Sequence, residues 1–173
     1  RASQLDESGI LPDIIMIKLA FQLDLSVKQE WYDRLISKLR QHSINAADLN
    51  GLHVLASCQQ GACETPRETM EAIYDIVLHH DSLRNAGTRE AHAYTSYGFY
   101  LINEHGEFRE GLDYLYRAVD AKPDYAQNWI NLIKVLVAMH RADEAEQQLG
   151  LFRAAGVPGT SERDYNRLAN LID

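Results

Sequence analysis

The feature that most constrains the fold is an internal repeat in the C-terminal half of the chain. Residues 106–123 are similar to residues 140–158, at a spacing of 34. The matched positions are small or apolar in both copies: Gly111 and Ala145, Leu115 and Leu149, Ala118 and Phe152. A repeat of this length is typical of stacked helical units, in which each unit buries its apolar face only against a neighbour.

The segments before these two copies also match each other, but at a spacing of 35 residues. The first contains Tyr94, Tyr97, Gly98 and Leu101, and the second contains Trp129, Leu132, Ile133 and Leu136. The apolar positions recur at helical spacing, so each copy is predicted to be a pair of helices. The change from 35 to 34 predicts one extra residue in the inter-helix turn of the first copy.

These residues resemble the tetratricopeptide repeat. The positions that fit the family pattern are Trp129, Ala145, Gly106, Ala118 and Pro123. Three positions depart from it: Ile133 where a small residue is usual, Phe152 where Ala is usual, and His140 where the turn has Gly. The resemblance covers about residues 89–158 and implies two repeats that present a concave groove, lined mostly by the first helix of each unit.

The rest of the chain predicts further helices around these repeats. Apolar stripes near Leu35, Leu52 and Ile73 indicate three upstream helices, and residues 162–172 indicate a terminal helix. We therefore predict an all-α, short tetratricopeptide-like α-solenoid of about seven to eight helices. Its predicted parts are a polar lead with a strand (1–25), degenerate helical units (26–88), two repeats (89–159) and a capping helix (160–173).

The segment 13–24 is the exception to the helical pattern. Apolar residues alternate there with other residues from Ile15 to Leu23, and this period of two predicts a single half-buried β-strand. The alternative is a short amphipathic helix that buries Ile14, Ile15, Leu19 and Leu23. Since a lone strand cannot satisfy its own edge, the strand interpretation also predicts a homodimer through residues 13–24.

The two cysteines, Cys58 and Cys63, are separated by four residues that include Gly61. A tight loop at this glycine could bring them within the Cα separation of about 5.5 Å that a disulfide needs. Two free thiols and a metal site are the alternatives, and we expect the disulfide. A disulfide would indicate an oxidising compartment.

Composition and the absence of known motifs argue against several classes of function. The net charge is −8, which disfavours nucleic acid as a partner. The sequence contains no run of about 18 apolar residues, so direct membrane insertion is not expected. It lacks nucleophile-elbow, phosphate-loop and His-Glu-x-x-His motifs. We therefore predict no catalytic residues, no metal, no cofactor and no enzymatic activity of this segment.

The resemblance instead implies a protein–protein interaction module. The groove candidates are Phe99, Asn103, Gln127, Asn131 and Lys134, because amides beside a lysine suit a peptide backbone or a carboxylate. The expected partner is a protein, a peptide or a neighbouring domain of the parent chain. The alternative is a small-molecule or glycan-binding domain, with stacking surfaces from Tyr94, Tyr97, Tyr100 and Trp129.

A second resemblance spans more of the chain. Its residues are Trp31, Leu49, Leu52, Cys58, Cys63 and the helix with Glu144 and Ala145. They are similar to the soluble C-terminal region of bacterial multi-pass membrane glycosyltransferases, polymerases and ligases of the envelope. This resemblance implies a periplasmic fragment of a larger membrane protein and allows no catalytic residue to be assigned. A cytoplasmic adaptor is the alternative.

Overall fold

The computed structural model describes residues 9–23, 29–56 and 65–172, which form helices and connecting turns without a strand. The helices of this described part are α1 (Leu11–Gln22), α2 (Gln29–Gln41), α3 (Ala46–Ala56), α4 (Arg67–Leu78), α5 (Thr88–His105), α6 (Phe108–Ala121), α7 (Ala126–Ala138), α8 (Ala142–Ala155) and α9 (Glu162–Ile172). The predicted all-α, tetratricopeptide-like fold is confirmed. The described residues contain one helix more than predicted.

The chain forms two compact units, Arg1–Arg89 and Glu90–Asp173. In the first unit, α1 packs on α2 and α3, while α2 packs on α4. The apolar stripe predicted from Met70, Ile73, Tyr74, Val77 and Leu78 lies on α4, where the first four are buried and Leu78 is half-buried. The hydroxyl groups of Tyr32 on α2 and Thr65 before α4 lie 3.4 Å apart. The finer division predicted from the sequence stays a prediction.

The predicted strand at 13–24 is wrong for the residues described there. The amide of Ile14 donates to the carbonyl of Ile10, and the amide of Leu23 donates to that of Leu19, which are helical bonds. The amphipathic alternative was wrong about the buried face, because Ile15, Leu19 and Leu23 are exposed. Among the α1 side chains whose burial the structure describes, the buried ones are Ile14, Ile17, Ala20 and Asp13.

The second unit is built around α7, which packs on α6, α8 and α9. Three aromatic rings connect its last helices. The ring of Trp129 on α7 stacks on Phe152 of α8, with centroids 5.7 Å apart, and the rings of Phe152 and Tyr165 of α9 form a T-shaped pair with centroids 5.0 Å apart. All three side chains are buried, so α9 covers an aromatic core.

The two inter-helix turns of this unit have related backbone geometry. Gly106 and His140 both adopt left-handed conformations, with φ of +66° and +57°. The amide of Glu107 donates to the carbonyl of Leu101 at 3.0 Å, and the amide of Arg141 donates to that of Leu136 at 2.9 Å. The first bond spans six residues and the second five, as expected from the extra residue predicted in the first turn.

Candidate interaction surfaces

Side-chain hydrogen bonds connect the start of α7 to the end of α6 and to the turn between them. The buried side chain of Asn128 donates through Nδ2 to the carbonyl of Ala118 at 2.9 Å and to that of Lys122 at 3.2 Å. The indole Nε1 of Trp129 donates to the carbonyl of Pro123 at 2.7 Å. These bonds satisfy carbonyl groups in the connection between the two helices. They therefore set the orientation of α7 and of the residues on its other face.

That other face carries three of the predicted groove residues. Gln127, Asn131 and Lys134 follow one another at four and three residues, so they lie on one side of α7. The Nε2 of Gln127 donates to the Oδ1 of Asn131 at 2.7 Å. Gln127 and Lys134 are exposed, and Asn131 is half-buried. We call these three residues the amide–lysine face.

The amide–lysine face has the chemistry to bind an extended peptide. Each side-chain amide has two donor hydrogens and one acceptor oxygen, and the bond between Gln127 and Asn131 uses only part of this capacity. Lys134 is the sole charged residue of α7. The only charge that α7 itself contributes to this face is thus positive, although the chain has a net charge of −8.

The two predicted groove residues of α5 have different environments. Asn103 is exposed, whereas Phe99 is half-buried against the hydrophobic core of the second unit. Phe99 therefore contributes to packing, which limits the area that it can offer to a ligand. A binding role for these five residues stays a prediction.

The aromatic residues of the glycan-binding alternative mostly pack within the protein. Trp129 is 7% exposed and Tyr100 is 4% exposed, so neither ring offers a stacking surface. Tyr94 and Tyr97 are half-buried and both lie against Tyr114 of α6, at 6.2 and 4.8 Å between centroids. Burial, and then the nearby Glu90 carboxylate, raise the pKa of Tyr94 above its ordinary value of 10.0.

The structure also contains an apolar groove that the sequence did not predict. It has a volume of about 450 Å³ and lies between α1 and α3. Its walls are two helical rows, formed by Leu11, Ile14, Ile15, Lys18 and Leu19 on α1 and by Ala47, Asn50, Gly51 and Val54 on α3. The sequence feature that could have predicted this groove is that α1 is apolar on both faces. The alternation between residues 15 and 23 instead suggested a strand.

Three further features concern the two cysteines, metal binding and membrane-spanning helices. Cys58 and Cys63 lie outside the described residues, so their disulfide stays a prediction. Within the described ranges, no group of three or more His, Cys, Asp or Glu side chains could hold a metal ion. The described helices include none that is both long enough and apolar enough to cross a membrane.

A family model of the tetratricopeptide repeat matches residues 103–156. The match runs from the end of α5 to the residue after α8 and includes the turns at Gly106 and His140. It supports the tetratricopeptide repeat family for this part of the chain. Such repeats generally mediate protein–protein interaction and are generally non-catalytic scaffolds. No curated protein and no solved structure matched the sequence.

Proposed function

We propose that this protein is a non-catalytic interaction module that binds a segment of a partner protein through the amide–lysine face of α7. The observation that carries the proposal is the arrangement of α7 itself. One face of this helix is fixed in the core by Trp129, Leu132 and Leu136, while the opposite face presents hydrogen-bonded amides and Lys134. A rigid helix that displays polar groups is suited to recognise a peptide.

The charge of this face favours a ligand that carries a carboxylate. Lys134 has no acidic neighbour on its own helix, because α7 contains neither Asp nor Glu. An exposed ammonium group beside amides can pair with an acidic side chain or with a terminal carboxylate of the ligand, while the amides pair with its backbone. The partner segment is therefore expected to be acidic and extended.

Selection of peptides from a random library on the immobilised protein tests this proposal. The selected peptides are expected to be enriched in Asp and Glu. Calorimetry should show that Lys134→Glu weakens their binding by about tenfold or more, since an attractive charge pair becomes repulsive. Asn131→Ala should weaken binding by a smaller factor.

The matched control is Arg109→Glu, which reverses an exposed charge on α6 and changes the net charge equally. This variant should bind the selected peptides as the wild type does. Equal losses for Lys134→Glu and Arg109→Glu would assign the effect to overall charge and contradict the proposed face. Circular dichroism of each variant checks that the helices are retained.

We further propose that the module is a periplasmic accessory part of an envelope glycan-handling membrane protein. The support is the resemblance that includes Trp31, Leu49, Leu52 and the two cysteines. Leu49 and Leu52 are both buried on α3, as expected for residues that maintain a fold. In this setting the partner is another envelope protein or a neighbouring domain of the parent chain.

A count of free thiols tests the compartment. The protein is purified from its native compartment without reductant and denatured, and its thiols are titrated. A periplasmic domain should yield no free thiol and a monomeric mass, which would indicate a bond between Cys58 and Cys63. Two free thiols would instead favour the cytoplasmic adaptor, without affecting the test of the amide–lysine face.

A further inference from the structure

The terminal helix α9 repeats the packing of α7 on α8. Trp129 and Tyr165 are each the fourth residue of their helix, and both rings pack on Phe152 of α8. The next buried core position lies three residues further in each helix, at Leu132 and Leu168. Because α9 also packs directly on α7, it takes the place of the first helix of a further unit, at a spacing of 36 residues from α7.

The same register places a second row of polar side chains beside the amide–lysine face. That face lies two residues before, two residues after and five residues after Trp129. The corresponding positions around Tyr165 are Arg163, Arg167 and Asn170, and all three are exposed. Short connections reverse the chain direction twice between α7 and α9, so the two helices run in the same direction and equivalent positions point to the same side. We call these three residues the α9 row.

The α9 row is positively charged. Neither of its two guanidinium groups forms an ion pair or a side-chain hydrogen bond with the residues that the structure describes. The carboxylates of α9 are engaged elsewhere: Glu162 pairs with Arg153 of α8 at 2.6 Å, and Asp164 accepts hydrogen bonds from the amide and the hydroxyl group of Ser161. These hydrogen bonds lower the pKa of Asp164, and the charges of the two arginines of the row lower it further.

We propose that the α9 row and the amide–lysine face bind one ligand together, a peptide segment that carries two acidic side chains. One acidic side chain pairs with Lys134 on α7, and the other pairs with Arg163 or Arg167 on α9. A guanidinium group binds a carboxylate through two parallel hydrogen bonds, so the arginines select an acidic residue over a neutral or apolar one. This inference rests on the proposed function and narrows the ligand of the same site.

The packing of the two helices also predicts the spacing of the acidic residues. The axes of packed helices lie about 8–10 Å apart. An extended peptide that crosses from α7 to α9 advances about 3.3–3.6 Å with each residue. The two acidic side chains of the ligand are therefore expected about three positions apart.

Peptides selected from the random library on the wild-type protein serve as the probe. Calorimetry should show that Arg163→Gln combined with Arg167→Gln weakens their binding by about tenfold, because glutamine removes both charges but keeps the helix propensity. The matched control is Arg40→Gln combined with Arg109→Gln, which removes two exposed arginines from α2 and α6. This control should bind the peptides as the wild type does, and an equal loss of binding would overturn the inference.

Double-mutant cycles between protein and peptide assign each acidic residue to a helix. Replacing one acidic residue of the peptide by its amide should have no further effect in Lys134→Ala, and replacing another should have none in the arginine variant. Peptides that need only one acidic residue would overturn the inference. So would full binding by the arginine variant while Lys134→Glu still weakens binding, a result that would leave the proposed function intact. A selection without acidic peptides would overturn both.

Discussion

The hairpin of α5 and α6 and the hairpin of α7 and α8 share one register but pack in different ways. Both turns pass through a left-handed residue. The residue after it, Glu107 in the first turn and Arg141 in the second, donates its amide to a carbonyl at matched positions of the preceding helices. At matched positions the first hairpin has Gly98 and Ala118, whereas the second has Ile133 and Phe152. The repeat is therefore preserved in its turn geometry and helix faces rather than in the sizes of its side chains.

In the first hairpin, the helix backbones meet directly. A Cβ atom at Gly98 would lie 2.8 Å from the carbonyl oxygen of Gly111. A Cβ atom at Gly111 would lie 2.6 Å from the carbonyl oxygen of Gly98 and 2.5 Å from the Cγ1 of Ile102. Real Cβ atoms are not found so close to such atoms, so glycine is required at both positions.

In the second hairpin, large side chains fill the space instead. Ile133 and Phe152 are fully buried, and Trp129 stacks on Phe152. The comparison teaches that two of the three departures from the tetratricopeptide pattern, Ile133 and Phe152, are compatible with the fold because neighbouring volumes adjust to them. Close packing requires complementary volumes more than particular residues.

The largest expected effect follows from truncating the aromatic core of the second hairpin. Trp129→Ala should lower the free energy of unfolding by about 3–5 kcal/mol, since it leaves a cavity beside Phe152 and removes the bond to Pro123. The comparison variant is Tyr94→Ala in the first hairpin, where the matched ring is half-buried, so its cost should be smaller. Urea unfolding measures both. Equal costs would contradict the difference between the hairpins.

The glycine contact of the first hairpin predicts an intermediate effect. Inside a helix, Gly→Ala normally gains about 1 kcal/mol from helix propensity. Gly111→Ala should instead lower the free energy of unfolding by about 1–3 kcal/mol, because the new methyl group forces α5 and α6 apart.

Ala145→Gly is the matched variant in the second hairpin. It should cost about 1–2 kcal/mol, because the variant loses helix propensity and also removes a methyl group that is fully buried in the core. Urea unfolding decides the sign for each variant. A stabilised Gly111→Ala protein would show that the backbones do not meet at Gly98.

The sequence predicted the second unit well and the first unit less well. The repeat, the extra turn residue and the terminal helix were predictable because their apolar positions follow one helical period. The segment from Leu11 to Leu23 was not, because nearly every position is apolar. Two helical rows lie side by side in this segment, one through Ile14 and Ile17 and the other through Ile15 and Leu19. Together they place apolar residues at positions that also fit the period of two typical of a strand. The groove between α1 and α3 depends on tertiary packing, which local patterns do not encode.

The smallest expected change in stability comes from substitutions in the two turns. These substitutions also test directly whether the two hairpins share one register. His140 has a φ of +57° and is exposed, and a side chain in this conformation costs about 1–2 kcal/mol. Glycine relieves that strain but loses about 0.5–1 kcal/mol through the greater freedom of the unfolded chain. His140→Gly should therefore stabilise the protein by about 0.5–1 kcal/mol.

Gly106→Ala tests the same position of the first hairpin in the opposite direction. Gly106 has a φ of +66°, and the nearest atom to an added Cβ lies 4.0 Å away, so crowding does not contribute. The variant should destabilise the protein by about the amount that His140→Gly gains, because both changes act on the same backbone conformation. Thermal unfolding of the two variants and their double mutant should give opposite and additive shifts. Shifts of the same sign would mean that the two turns are not equivalent, and the register that relates the hairpins would be wrong.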